Sequence, residues 1–347
     1  MAWRGSMRLA MTAALAAVTW AGCGDDPAAP RRLELVTAEQ PGSLLSVWIA
    51  PDGVAYAAGG VDGGGDGLLL RWRGPGHDVE VVPTPGAHAF WWIHGFAADD
   101  MWLAGESGEA HRFDGIAVTR VDAGMSEPLP TLFGIWGNTS DDLWVVGGSF
   151  VAGGARRVIL RRQAGVFRPV ASPASVDDAV TYFKVWGSGA SDVWIAGDLG
   201  VILRWDGTQL TRAEAPRVER YLTVHGCGPR DVYAVGGGAS GAAVHFDGSS
   251  FLPLRLGNVP PLGGVACDPG GGGVTYVGGF FGYAARVSSG GNGAGETVTV
   301  LDTPEEIAGL AIHGMAAAAG RVLAVGGDLT ATGLDPRRGF LLAAPAQ

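Results

Sequence analysis

The sequence is poor in charged residues and lacks several motifs of common catalytic sites. Charged residues make up 17% of the 347 residues, and no cluster of Lys and Arg occurs after residue 32. We therefore expect no nucleic-acid partner, because phosphate binding needs a positive protein surface. No CxxC pair, HExxH or P-loop occurs either. Zincin and nucleoside-triphosphatase chemistry is thus without support, and we expect neither a metal nor a cofactor.

Cysteine is also scarce, and the first of the three cysteines lies at the end of an export signal. Arg4 and Arg8 precede an apolar run that is too short to span a bilayer, as in cleaved secretory signals. The run ends in WAGC at 20–23, which resembles the lipobox of bacterial lipoproteins. The resemblance implies that residues 1–22 are removed and that Cys23 is acylated, with palmitate among its acyl chains. We expect residues 23–32 to be a short polar tether that holds the protein on a membrane.

What the sequence has in abundance is an internal repeat. Its cleanest copy reads VWG at 185–187, DVWIAG at 192–197 and GVILRWDG at 200–207. Seven copies occur, and their anchor residues are Trp48, His94, Trp136, Trp186, His225, Ala266 and His313. Successive anchors are 39 to 50 residues apart, which is the length of one four-stranded propeller blade.

The apolar runs within each copy are short and rich in Val, Ile and aromatic residues, which predicts strands. Asp-Gly at 114–115, 206–207 and 247–248 predicts two-residue hairpins between third and fourth strands. The third-strand run 340–343 has no fourth strand after it, and Leu33 to Val36 precede the first blade. We therefore predict that this N-terminal strand completes the last blade and closes the ring.

Several residues recur at fixed repeat positions, and packing explains most of them. The Asp before the second strand is predicted to cap backbone N–H groups, and the aromatic residue two positions later is predicted to pack between blades. His94, His225 and His313 share a position that holds Trp in other copies, so packing is favoured over a metal site. Cys227 and Cys267 lie at nearly equivalent positions of adjacent blades. A disulfide between them needs Cα atoms within about 7 Å, and the sequence leaves this open.

Loops of variable length concentrate on one face of the predicted ring. The longest connect second to third strands, or one blade to the next, and both classes emerge on the same face, here called the loop face. Such insertions mark a binding face. The predicted binding-face residues are Trp91, Phe150, Asp177, Asp178, Tyr182, Asp198, Arg217, Glu219, Arg220, Phe280 and Phe281. Aromatic side chains beside charges suit a protein or a glycan ligand.

The repeat resembles that of exported propeller lipoproteins from predatory and soil proteobacteria, over residues 33–345, and more distantly kelch, WD40 and sialidase-type propellers. The resemblance implies an all-β fold: one seven-bladed β-propeller of four-stranded antiparallel blades. The Asp-box pattern of sialidases is absent. The fold by itself assigns no chemistry.

Three functions stay open at this point. The leading hypothesis is a monomeric recognition or scaffold module, anchored in the cell envelope at the outer membrane, that binds a protein or a glycan. The alternative is a propeller hydrolase or lyase for polysaccharides, in which Asp177, Asp178 or Asp198 supplies a carboxylate pair about 5–10 Å apart near the axis. The third is a redox-cofactor propeller, suggested by 12 tryptophans, most of which the repeat explains as packing. An absorbance spectrum of the purified protein tests this third hypothesis.

Overall fold

The computed structural model describes residues 30–60, 66–149, 157–268, 274–288, 296–318, 320–328 and 339–344. In these residues the chain forms seven four-stranded antiparallel sheets and a 3₁₀ turn at Glu305–Ile307. The prediction of a seven-bladed all-β propeller is confirmed. Cys23 and Phe150 lie outside the described residues.

The first four blades follow the chain in order, with strands one to four hydrogen-bonded in sequence. Blade 1 contains β2 (Ser43–Ile49), β3 (Ala55–Gly60), β4 (Gly67–Trp72) and β5 (Val79–Val82). Blade 2 contains β6 (Phe90–Ala97), β7 (Asp100–Gly105), β8 (Ala110–Phe113) and β9 (Val118–Val121). Blade 3 contains β10 (Thr131–Thr139), β11 (Asp142–Gly148), β12 (Val158–Gln163) and β13 (Val166–Pro169). Blade 4 contains β14 (Tyr182–Gly189), β15 (Asp192–Gly197), β16 (Ile202–Trp205) and β17 (Leu210–Ala213).

The last three blades have the same architecture, and the seventh takes one strand from the start of the chain. Blade 5 contains β18 (Tyr221–Gly228), β19 (Asp231–Gly237), β20 (Gly241–Phe246) and β21 (Phe251–Pro253). Blade 6 contains β22 (Leu262–Cys267), β23 (Val274–Gly279), β24 (Ala284–Ser288) and β25 (Thr297–Val300). Blade 7 contains β26 (Ala311–Ala318), β27 (Arg321–Gly327), β28 (Gly339–Ala343) and β1 (Glu34–Gln40).

The ring closes as the sequence predicts. Strand β1 pairs antiparallel with β28, with Glu34 opposite Ala343 and Leu35 opposite Leu342. The backbone N–H of Leu33 also donates to the carbonyl of Asp302, 2.8 Å away. The outermost strand of blade 7 therefore comes from the N-terminal side of the chain, and its partner from the C-terminal side.

The core is divided among the blade interfaces. Among the described residues, seven apolar clusters are present, and each joins side chains of two adjacent blades. At the interface of blades 4 and 5, Trp194 is fully buried and its ring centroid lies 4.9 Å from that of Phe246. A buried aromatic side chain of this size stabilises the fold by about 3 kcal/mol. The repeated second-strand aromatics thus pack between blades, as the sequence predicts.

The repeated Asp before each second strand has a structural role, but its partner differs from the one predicted. Asp192 Oδ1 accepts a hydrogen bond of 2.9 Å from Arg204 Nε, and the guanidinium lies 4.8 Å from the centroid of the Trp194 ring. Strand register sets this arrangement, because Trp194 is directly opposite Arg204. Asp142 and Arg161 repeat it in blade 3, at 2.8 Å. In blades 3 and 4 the aspartate thus fixes an arginine over the interface aromatic, and in blade 5 Asp231 contacts His245, which stacks on Tyr233. We predicted instead that this aspartate caps backbone N–H groups.

The Asp-Gly segments lie between third and fourth strands as predicted, but each loop has four residues instead of two. In blade 4, Trp205 pairs with Leu210, so residues 206–209 form the loop. Gly207 has a φ of +96°, which favours glycine. Hydrogen bonds from the Thr208 hydroxyl and from the backbone N–H groups of Gln209 and Thr208 lower the pKa of Asp206 to about 2. The side-chain acceptor stabilises a longer turn than the dipeptide alone indicates.

Candidate functional site

The first strand of every blade lines the axis of the ring, and each has one irregularity near its start. The pairing register skips one residue in β2, β6, β10, β14, β18, β22 and β26. The skipped residues are Leu45, Trp91, Phe133, Phe183, Leu222, Gly263 and His313. All seven line one cavity of about 260 Å³. We call it the mouth cavity, since it lies at the loop-face end of the axis.

His313 occupies a different repeat position from the one predicted. In blade 7, Leu323 replaces the second-strand aromatic, and the residue opposite it is Ala316. The anchor of blade 7 is therefore Ala316, and His313 belongs to the ring of skipped residues in the mouth cavity. The other two histidines, His94 and His225, line a second axial cavity of about 580 Å³ at the opposite end. The three histidines thus do not face one common point.

The opposite axial cavity is lined by aromatic and small side chains. The ring centroid of His94 lies 6.0 Å from that of Trp136, and the centroid of His225 lies 5.6 Å from that of Trp186. Burial lowers the pKa of both histidines to about 4. His94 Nε2 also lies 3.0 Å from the carbonyl oxygen of Gly137. These imidazoles are neutral at pH 7 and behave as packing residues.

The mouth cavity contains a charged residue that sequence reasoning missed, Lys184. It is the residue after the skipped Phe183, and its side chain is 7% exposed. Its ammonium nitrogen donates to the carbonyl of Phe133 at 2.6 Å and lies 4.3 Å from the centroid of the Trp92 ring. Burial lowers the pKa of Lys184 to about 7. A signal for it was present in the sequence, because Lys184 is the only lysine in 347 residues.

Part of the rim of the mouth cavity is exposed. Phe280 lines the cavity and is 40% exposed, while its neighbour Phe281 is 69% exposed. Arg220 lines it as well, and its Nε donates to Asp198 Oδ1 at 2.6 Å. The guanidinium of Arg220 lies 5.6 Å from the centroid of the Phe183 ring. Five of the predicted binding-face residues thus meet here: Trp91, Asp198, Arg220, Phe280 and Phe281.

None of the other predicted binding-face residues that the structure describes lines the mouth cavity. Tyr182 is fully buried and shares a hydrogen bond of 2.5 Å with Ser172, so the prediction that it is exposed is wrong. Asp177 accepts a backbone hydrogen bond within its own turn, and Asp178 pairs with Arg157. Arg217 and Glu219 lie in the connection between blades 4 and 5. The backbone carbonyl of Arg217 accepts a hydrogen bond from the Tyr221 hydroxyl, and the carbonyl of Glu219 accepts one from the backbone N–H of Gly200.

The carboxylate pair that the hydrolase alternative requires is not assembled at either axial cavity. Within the described ranges, neither cavity has an acidic side chain in its lining. Asp177 and Asp178 are exposed on the connection between blades 3 and 4, and Asp198 is held by Arg220. The positions that we singled out for the alternative function therefore do not meet near the axis.

The fold also brings together two other sets of side chains, a pair of cysteines and a cluster around a buried glutamate. The Cα atoms of Cys227 and Cys267 are 5.3 Å apart, within the range that a disulfide requires. On the loop face of blade 2, the buried carboxylate of Glu109 lies 3.0 Å from His88 Nδ1 and 3.2 Å from Arg120 Nη1. The cysteines join adjacent blades, whereas Glu109 joins the connection before blade 2 to the fourth strand of that blade.

Comparison with known proteins identifies the fold and no family. No protein-family model matches the chain, and no curated protein sequence matches it significantly. The fold is similar to the WD40 repeats of RRP9, with a TM-score of 0.70 at 10% identity over 91% of this chain and 98% of that one. It is also similar to YCF48 bound to D1 peptide, with a TM-score of 0.62 at 13% identity over 92% and 99% of the two chains. YCF48 from Cyanidioschyzon merolae gives 0.64 at 13% identity over 90% and 98%.

The class of protein follows from the fold: the described residues form a seven-bladed β-propeller with WD40-like structural neighbours. In the part of the chain that the structure describes, no helix has the length and apolar character needed to cross a membrane.

Proposed function

We propose that this chain is an exported recognition module that binds a protein partner through its loop face while an acylated Cys23 holds it on a membrane. The propeller fold supports the first half of the proposal, since WD40-like propellers with this architecture present loops on a rigid ring. The structure of YCF48 bound to D1 peptide provides an example of a similar propeller with a peptide ligand. The lipobox-like WAGC at 20–23 supports the second half.

One observation carries the proposed binding site, namely the exposed pair Phe280 and Phe281 beside the mouth cavity. The pair lies in a tight turn from Gly279 to Gly282, in which Phe281 and Gly282 have φ values of +58° and +67°. Turns of this kind favour Asn, Asp and Gly at such positions. Turn chemistry therefore does not account for the phenylalanine, whereas an aromatic anchor for a partner does.

The charges beside this pair suit a partner with polar groups around an apolar contact. The Arg220–Asp198 ion pair lies on the same face and leaves Arg220 half-exposed. Interfaces typically combine a central aromatic anchor with a polar rim. The loop face of blades 4 to 6 has both parts.

A paired-variant experiment tests the site. The F280A/F281A variant removes the aromatic pair, and I116A is the matched control, because Ile116 is 88% exposed on a third-to-fourth-strand loop of the opposite face. Envelope proteins captured by the lipidated wild type are quantified by mass spectrometry against both variants. We expect F280A/F281A to lose bound partner about 30-fold, as for an anchor worth about 2 kcal/mol, and I116A to retain it. Equal capture by all three proteins rejects the site, and binding to a glycan array instead of protein redirects the proposal to a glycan ligand.

The lipid anchor has its own test. Cells that express the wild type or C23A are fed an alkyne analogue of palmitate, and the protein is purified and fractionated. We expect label and membrane association for the wild type and neither for C23A, because only the cysteine carries the acyl chains. Labelling of C23A, or an unlabelled wild type, contradicts the anchor without affecting the binding site.

A further inference from the structure

The only lysine of the chain is buried at the axis of the ring, in a cavity lined mostly by apolar side chains, with Arg220, Thr223 and His313 as its other polar residues. We propose that the mouth cavity binds a ligand with an apolar body and one carboxylate, and that Lys184 holds the carboxylate. Such a ligand is either a small free acid or the C-terminus of a peptide that ends in an apolar residue. Binding of small acids here is independent of a protein partner at the rim.

The hydrogen bonds of Lys184 leave it able to bind an anion. Its Nζ donates to the carbonyl of Phe133 at 2.6 Å and lies 3.5 Å from the carbonyl of Trp91. An ammonium group has three donors, so one remains for a ligand. Among the described residues, no carboxylate forms an ion pair with Lys184, although buried cations are ordinarily paired.

The lining of the cavity selects an apolar body for the ligand. Leu45, Phe133, Phe183, Leu222 and Phe280 form most of its wall. A volume of about 260 Å³ suits a phenyl ring or a short alkyl chain. The half-exposed Phe280 at the rim leaves a route to the loop face.

The binding of a carboxylate to Lys184 depends on pH in a calculable direction. With the pKa of Lys184 at about 7, the amine is mostly charged at pH 6 and mostly neutral at pH 8. Burial lowers the pKa of the neighbouring His313 to about 4, so this imidazole stays neutral between pH 6 and pH 8, and Arg220 is the other charged side chain in the lining. Asp328 is a further acidic group close enough to act on His313. Affinity for an acid therefore falls about tenfold from pH 6 to pH 8.

Calorimetric titration of the processed protein with matched acids and amides tests the proposal. The probes are 4-phenylbutyrate and the peptide Gly-Gly-Phe with a free C-terminus, each beside its amide. We expect at least one acid to bind, and its amide to bind at least tenfold more weakly at pH 6. The acid that binds more tightly identifies the source of the carboxylate.

The variant K184M separates this role from a structural one. Methionine fills a similar volume without charge, so we expect K184M to fold with unchanged circular dichroism and to bind acid and amide equally. The variant F280A is the matched control at the rim, because it weakens acid and amide to the same extent. The proposal is overturned if neither acid binds to the wild type, if the amides match the acids, or if K184M retains the preference for acids.

Because the chain has a single lysine, a direct spectroscopic reading is also available. Biosynthetic labelling with ¹³C,¹⁵N-lysine gives one lysine side-chain signal and leaves the amine unmodified, so the pH titration of this signal reports its pKa. We expect a midpoint near pH 7 in the free protein, and a higher midpoint with the bound acid. A midpoint that the acid does not move contradicts contact between the carboxylate and Lys184.

Discussion

The proximity of Cys227 and Cys267 predicts a disulfide whose removal has a calculable cost. The bond closes a loop of 40 residues between blades 5 and 6. A crosslink of that span lowers the entropy of the unfolded chain and stabilises the folded state by about 4 kcal/mol. The variant C227A/C267A should lose about this much free energy of unfolding in urea, with a steeper transition, because the unfolded chain exposes more surface without the crosslink. Alanine at both sites avoids a buried hydroxyl, which matters because Cys267 is fully buried.

The reduced wild type is the matched control for that variant. Dithiothreitol should lower the urea midpoint of the wild type to that of C227A/C267A and should leave the variant unchanged. Thiol titration of the unfolded, unreduced wild type should find no free thiol from this pair. Two reactive thiols, or a wild type whose midpoint ignores the reductant, would refute the bond and the reasoning about its loop.

Two further predictions concern buried polar groups. E109Q should lower the free energy of unfolding by about 2 kcal/mol, because it removes the buried charge that joins His88 and Arg120. Urea titration measures this loss, and a loss of less than about 0.5 kcal/mol would contradict the prediction. The stability of the wild type should fall as pH drops from about 6.5 to about 4, since the unfolded chain takes up protons that the buried His94 and His225, with pKa values of about 4, do not. The variant H225F should lose less stability than the wild type between pH 7 and pH 4.5, as measured by urea titrations at the two pH values. An identical loss in the wild type and in H225F would show that His225 is not buried as described.

The architecture could be predicted from the sequence because the repeat consists of residue types that favour β-strands and tight turns. Short apolar runs, the recurring aromatic residue and the unmatched strands at the two ends were sufficient for the number of blades and for the closure. The anchor of blade 7 was assigned to the wrong residue because Ile312-His313-Gly314 has the same sequence as the anchor segment Ile93-His94-Gly95 of blade 2. Register, set by pairing with β27, places Ala316 there instead.

The binding region was only partly predictable, because it depends on which way side chains point after a skipped residue. Tyr182 was expected on the surface, yet the irregularity between Tyr182 and Lys184 leaves the phenol in the core between blades 3 and 4. The same irregularity places Lys184 at the axis. A linear motif contains no trace of such a shift, whereas the isolated occurrence of a lysine in an arginine-rich chain did offer a clue.

Ring closure by β1 has a consequence during synthesis. Strand β1 is synthesised before the blades, and its partner β28 follows roughly 300 residues later. The backbone of β1 therefore has no partner strand while the first six blades are synthesised. A strand with an unpaired edge can pair with other chains and aggregate. The sequence of β1, ELVTAEQ, contains two glutamates, a threonine and a glutamine among its seven residues. This polarity makes premature pairing unfavourable, so the segment stays available until the far end of the chain arrives.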